Sequence, residues 1–153
     1  MEILVDIMHG MDYGILAYIA ETLRGGSLDP VMTVLSLMGN SGAVWIATAV
    51  LLLFFRKTRR AGVAMLLALA AGYVIGNLCI KELVMRPRPF VTHSDLTALL
   101  DPGDPWSFPS GHALSSFAAA TALCCFHRKT GVLALVLAAL IAFSRLYASV
   151  HYP

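Results

Sequence analysis

Charge is scarce in this sequence. Asp, Glu, Lys and Arg make up 13% of its 153 residues, against about 25% in an average soluble domain. Apolar residues make up 58%. A chain of this length suits one domain, and too few charges are present to clothe it in water, so a membrane protein is expected. Cysteine is also sparse. Cys79, Cys124 and Cys125 are odd in number and lie in apolar runs, which excludes a disulfide framework and reads as small buried hydrophobes. No basic stripe interleaves with polar or aromatic residues, so nucleic acid is not an expected partner. No secretory-signal pattern is visible, because Asp6, His9 and Asp12 interrupt the N-terminal apolar residues and no basic region precedes them. No internal repeat is evident.

What the sequence does have is long apolar runs. A span needs ~20 predominantly apolar residues. Four segments meet or approach this: 31–55, with a polar break at Gly39, Asn40, Ser41 and Gly42; 61–83, where Asn77 is the only strongly polar side chain before Lys81; 110–127; and 131–150, which carries Ser144 and Arg145. Residues 1–28 differ. Ile15, Ile19 and Leu23 recur at helical spacing with Asp12, Glu21 and Thr22 off that line, which predicts an amphipathic helix on the membrane surface. A further span there is the alternative. It is disfavoured because each acid near a bilayer centre costs ~2.5–3.5 kcal/mol.

Orientation follows from two basic knots. Arg56, Lys57, Arg59 and Arg60 join the first two apolar segments, and Arg128 and Lys129 join the last two. Short basic connections stay in the cytoplasm. The loop 85–109, the N-terminal segment and the end of the fourth span then share the outer face. The loop carries Pro87, Pro89, Pro102 and Pro105, so it is expected to be irregular.

Three pieces at that face carry chemistry. Lys81 ends the second span, and the prolines after it turn the chain so that Arg88 can return over Lys81. Either residue also suits a snorkelling anchor. Pro109-Ser110-Gly111-His112 opens the third span, where free N–H groups and the helix dipole favour phosphate. Ser110 adds a hydroxyl there, Gly111 a close backbone approach, and His112 a proton carrier. Ser144-Arg145 and His151 close the fourth span. An ionisable residue such as Arg145 within a span signals function. Ser144 and His151, seven apart, should share a helix face, whereas Arg145 and His151 need a bend to meet. Three cations, a helix start and two histidines suit phosphoryl transfer. No carboxylate pair accompanies them, so a two-metal site is not expected. A site built from His93, His112, His151 and Cys79 would place a metal dication beside three cations.

The pattern Lys81-x6-Arg88-Pro89, Pro109-Ser110-Gly111-His112 and Ser144-Arg145-x5-His151 resembles the type 2 phosphatidic acid phosphatases, which share a site with vanadium haloperoxidases. The resemblance covers about residues 12–153. It implies an all-α integral-membrane bundle and a phosphatase acting on a lipid phosphate such as undecaprenyl diphosphate, phosphatidate or phosphatidylglycerophosphate. It implies His151 as the nucleophile forming a phosphohistidine and His112 as the acid. Lys81, Arg88, Ser110, Gly111 and Arg145 then form the phosphate cage, without metal or cofactor. The expected partners are the membrane and the lipid; no protein partner is indicated. A soluble haloperoxidase conflicts with a mean hydropathy of +0.76.

One departure stands out. The family's third motif runs on to an Asp four residues after the His and then a last membrane helix, whereas this sequence ends at Pro153. The chain therefore reads as C-terminally truncated, with a fifth span missing and His151 free to fray. The alternative is an inactive lipid-phosphate binder.

Overall fold

The computed structural model describes residues 2–153, with side chains from Gly10 onward. The side chains of Asp6 and His9, invoked above against an N-terminal span, lie outside the described residues. The architecture is all-α. Helices α1 (Glu2–Thr22), α2 (Leu28–Met38), α3 (Ala43–Leu53) and α4 (Arg59–Gly72) come first. The chain continues through α5 (Lys81–Val84), α6 (Pro89–Thr92), α7 (Gly111–Phe126) and α8 (Arg128–Tyr147). No strand forms among the described residues; one isolated antiparallel bridge links Pro87 to Trp106.

Two helices are long and apolar enough to cross a membrane, namely Arg59–Val84 and Arg128–Tyr147. A third candidate is bent by 47° between Leu28–Met38 and Asn40–Leu53. The bend falls at the polar break read from the sequence. Ser41 and Gly42 both take positive φ there (52° and 64°), which ends one helix and starts the next. The segment expected to span at 110–127 forms a helix of only 16 residues.

The core is built from small residues. Ala49, Ala61, Ala119, Ala120 and Ala138 pack with Trp45, Met65, Leu123 and Ile141. Small side chains let helix backbones close on one another, the packing mode available where lipid supplies no hydrophobic drive. Trp45 donates its indole N–H to Ser116 Oγ at 2.9 Å, so the one polar group in this layer is satisfied. Outward faces are apolar instead: Leu67, Leu133, Val136 and Phe54 are all exposed. Cys79 and Cys125 are exposed too, contrary to the expectation that the cysteines are buried. They lie on outward faces of apolar helices, where a small hydrophobe need not enter the core.

Helix α1 follows the predicted element with a shifted face. Leu16 and Ile19 are buried, whereas Ile15 is 43% exposed. The helix is docked by polar contacts: Tyr13 donates to Asp95 at 2.6 Å, and Arg86 pairs with Asp12. Farther on, Arg24 donates to the Tyr147 carbonyl at 2.8 Å, and Tyr147 donates to Asp29 at 2.6 Å. These bonds gather the N-terminal segment, the 85–109 loop and the end of α8 at one end of the bundle. The two basic connections lie at the other ends of α4, α7 and α8.

Candidate active site

Lys81 stands where the helix begun at Arg59 approaches its end. Met85 then takes a left-handed conformation (φ 44°), which stops the helix. Arg88 is extended (φ −80°, ψ 154°), as a residue before proline must be. Pro89 does not simply keep the chain out of helix: it opens the short α6, its fixed φ suiting a first helical position. These turns carry Arg88 inward until it is 1% exposed.

All of Lys81, Arg88, Gly111, His112, Arg145 and His151 line one cavity of about 580 Å³. Ser110 does not. Its Oγ accepts from the Ala113 N–H at 3.4 Å and caps α7, which leaves Gly111 and His112 to face the cavity. The His112 ring fits against Gly39: a Cβ there would lie 2.9 Å from the ring and 2.6 Å from Ile141. Gly39 is therefore a position where only hydrogen leaves enough room.

Helix α8 ends at Tyr147, and Ser149 takes φ 51° just beyond. This is the bend that Arg145 and His151 require. It also corrects the expectation that Ser144 and His151 share a helix face, since no helix continues to His151. Ser144 instead donates to the Ile141 carbonyl at 2.6 Å, away from the cavity.

His151 is the most constrained side chain in the site. Its Nδ1 lies 2.6 Å from the Ser107 carbonyl oxygen. A carbonyl only accepts, so Nδ1 carries the proton and Nε2 keeps its lone pair. Arg88 sits 3.2 Å from that Nε2 and donates to the Val150 carbonyl at 2.7 Å. Burial pushes the imidazole down to about 3; the Ser107 bond opposes that shift, and the charges of Arg88, Arg145 and Lys81 reinforce it. The ring is neutral across the physiological range. The expectation of a fraying His151 is not met, because the residue is 4% exposed and anchored on both nitrogens.

Sequence reasoning missed three contributors. Ser107 is itself tied down, its Oγ donating to the Pro87 carbonyl at 2.8 Å beside the Pro87–Trp106 bridge. Asp104 joins the cations, with Lys81 at 3.1 Å and Arg88 at 3.0 Å. Burial pulls its carboxyl upward, but the Lys81 bond and the Arg88 charge outweigh this and hold it below the ordinary carboxylate value. Ser36 accepts from Arg145 Nη1, while Arg145 Nε is buried without a partner. Only the location of Asp104 and Ser107 in the outer loop hinted at a role. Ser36 lies in an apolar segment and carried no signal. His93 stacks on Tyr13 with ring centroids 4.4 Å apart and is not a cavity residue. His93, His112, His151 and Cys79 are therefore not brought together.

Three cations thus face one carboxylate around a cavity beside a neutral histidine. Residues 61–153 match the model of the PAP2 superfamily. The chain belongs to that superfamily. It is 35% identical over 129 residues to an undecaprenyl-diphosphatase of Sulfolobus acidocaldarius, covering 83% of this chain and 61% of that protein. Two solved structures are similar. LpxE of Aquifex aeolicus aligns with a TM-score of 0.77 and 28% identity, over 92% of this chain and 82% of that one. The transmembrane PAP2-type phosphatidylglycerolphosphate phosphatase of Bacillus subtilis aligns at 0.73 and 27%, over 94% and 74%. The chain spans about two fifths to three fifths of the length of the first curated relatives it matches.

Proposed function

We propose that the protein containing this chain is a membrane lipid phosphatase that works through a phosphohistidine on His151. The observation carrying this reading is the Ser107–His151 bond: it fixes the tautomer whose Nε2 lone pair is nucleophilic and sets that atom beside Arg88. Lys81, Arg88 and Arg145 neutralise the oxygens of the phosphoryl group, with Gly111 giving close backbone approach at the start of α7. His151 Nε2 attacks phosphorus as the bond to the lipid oxygen breaks, and His112 delivers a proton to that oxygen. His112 then takes a proton from water, which attacks phosphorus and frees phosphate and His151. Ser110 acts by capping the helix that presents Gly111 and His112.

The relatives' names direct the substrate choice toward undecaprenyl diphosphate, with phosphatidylglycerophosphate and phosphatidate as the other members of the class. Four spans, an interfacial α1 and an outward-facing site fit the basic connections at the opposite end of the bundle. The alternative, an inactive binder lacking the Asp after the nucleophilic His, is disfavoured here because the Ser107 carbonyl can orient His151. The test is phosphate release from undecaprenyl diphosphate by purified protein, with acid-labile ³²P trapped on wild type and absent from His151→Ala. Phosphate release without a labelled intermediate would defeat the phosphohistidine, and no release would defeat the phosphatase.

A further inference from the structure

One face of the helix Arg59–Val84 is graded along the cavity. Leu66 and Leu69 line it first, then Tyr73, then Asn77, then Lys81. The order is apolar, aromatic, neutral polar, cationic. A lipid phosphate has the same order from chain to head. Asn77 is the step between, about one turn before Lys81 along the helix.

The local backbone is built to put it there. Over Tyr73–Ile80 the helix widens to i→i+5 turns, a rare form that recurs at functional positions. Gly76 is buried against Leu114 of α7, leaving no room for a Cβ. On the facing helix, a Cβ at Gly111 would lie 3.5 Å from Asn77 Oδ1 and 3.7 Å from Nδ2. The close packing at Gly76 thereby sets the Asn77 amide against the start of α7 at Gly111. The amide makes no hydrogen bond to protein, and its Oδ1 is buried. Oδ1 is closed off, so the Nδ2 donor is the group that Asn77 offers to the cavity.

We propose that Asn77 Nδ2 donates a hydrogen bond to the substrate, on the leaving-group side of the transferred phosphoryl group. The atom it meets is an oxygen of the second phosphate of a lipid diphosphate, the first polar group beyond the scissile bond. Asn77 is then a specificity residue that reads the junction between phosphate and lipid, whereas Lys81, Arg88 and Arg145 read the phosphate. This rests on the lipid-phosphatase reading of the cavity.

The test compares two probes bound by the purified chain in detergent. Inorganic phosphate fills the cage alone; farnesyl methylenediphosphonate, which is not hydrolysed at its P–C–P link, also fills the junction. Asn77→Ala should weaken the lipid analogue by about 10-fold, the loss of one good hydrogen bond, and leave phosphate within about twofold. Asn77→Asp should weaken the analogue further, by setting a carboxylate against the second phosphate. Thermal stability of Asn77→Ala should hold or rise, because an unsatisfied group is removed. Equal weakening of both probes, or a lowered melting temperature, would make Asn77 structural and overturn the proposal. So would an unchanged affinity for the analogue. A full-length wild-type protein that binds both probes yet releases no phosphate from undecaprenyl diphosphate would refute the phosphatase reading, while the binding comparison still decides Asn77.

Discussion

The Ser107 carbonyl oxygen accepts from His151 Nδ1 at 2.6 Å, a bond between a loop and a residue 44 positions later. It fixes Nε2 as the nitrogen that keeps a lone pair, to which Arg88 donates at 3.2 Å in the free protein. His151→Ala should abolish phosphate release, with a loss of about 10⁴-fold or more, the scale seen when a triad member is removed. Ser107→Ala keeps the carbonyl and loses the Oγ bonds to the Pro87 and Arg86 carbonyls, so turnover should fall a few-fold. Steady-state phosphate release measures both; equal losses would mean that the loop, not the imidazole, carries the effect.

Arg145 is buried in the cavity wall, whereas Arg86 pairs with Asp12 and lies over the Tyr152 ring, 3.7 Å from its centroid. Arg145→Ala should lower turnover ~10²–10³-fold, as for loss of an oxyanion donor. Arg86→Ala should do far less, because Arg86 does not line the cavity. The same assay with chelator present should read unchanged; activity lost to chelation and regained with zinc would call for a metal.

Topology is open to chemical labelling. In a version with Cys79, Cys124 and Cys125 replaced, single cysteines at Thr58 and Asp101 should label from opposite sides of the membrane with an impermeant thiol reagent. Labelling of both from outside would separate the basic connections from the cytoplasm and remove the basis for an outward-facing site.

Acid should destabilise the fold through His151. The unfolded chain takes up a proton at this residue below about 6.5, but the folded ring stays neutral until about 3. The unfolded state therefore binds more protons between those values, and stability falls as pH falls across that window. The slope is at most about 1.4 kcal/mol per pH unit for one proton. Between about pH 5 and 6.5, above the ordinary carboxylate range, His151→Gln should show a shallower loss of melting temperature than wild type. Identical slopes would mean that His151 is protonated in the fold.

Apolar runs and clustered Lys and Arg determine by themselves that this chain is helical and membrane-bound, because helix length and loop charge are local properties. The polar break at 39–42 was legible for the same reason: glycines beside Asn and Ser announce a bend whatever surrounds them. The motif spacing also singled out the cavity residues, although Ser110 proved to serve the helix cap rather than the cavity wall. What only the tertiary structure decided is the set of partners those residues meet. Ser107 reaches His151 through a backbone carbonyl, an atom every residue has and no sequence pattern marks. Asp104 and Ser36 bond to cations 16 and 109 positions away. Which face of α1 is buried, Leu16 with Ile19 rather than Ile15, follows from where α8 and the outer loop lie. Periodicity specifies a helix; only packing chooses the side it hides.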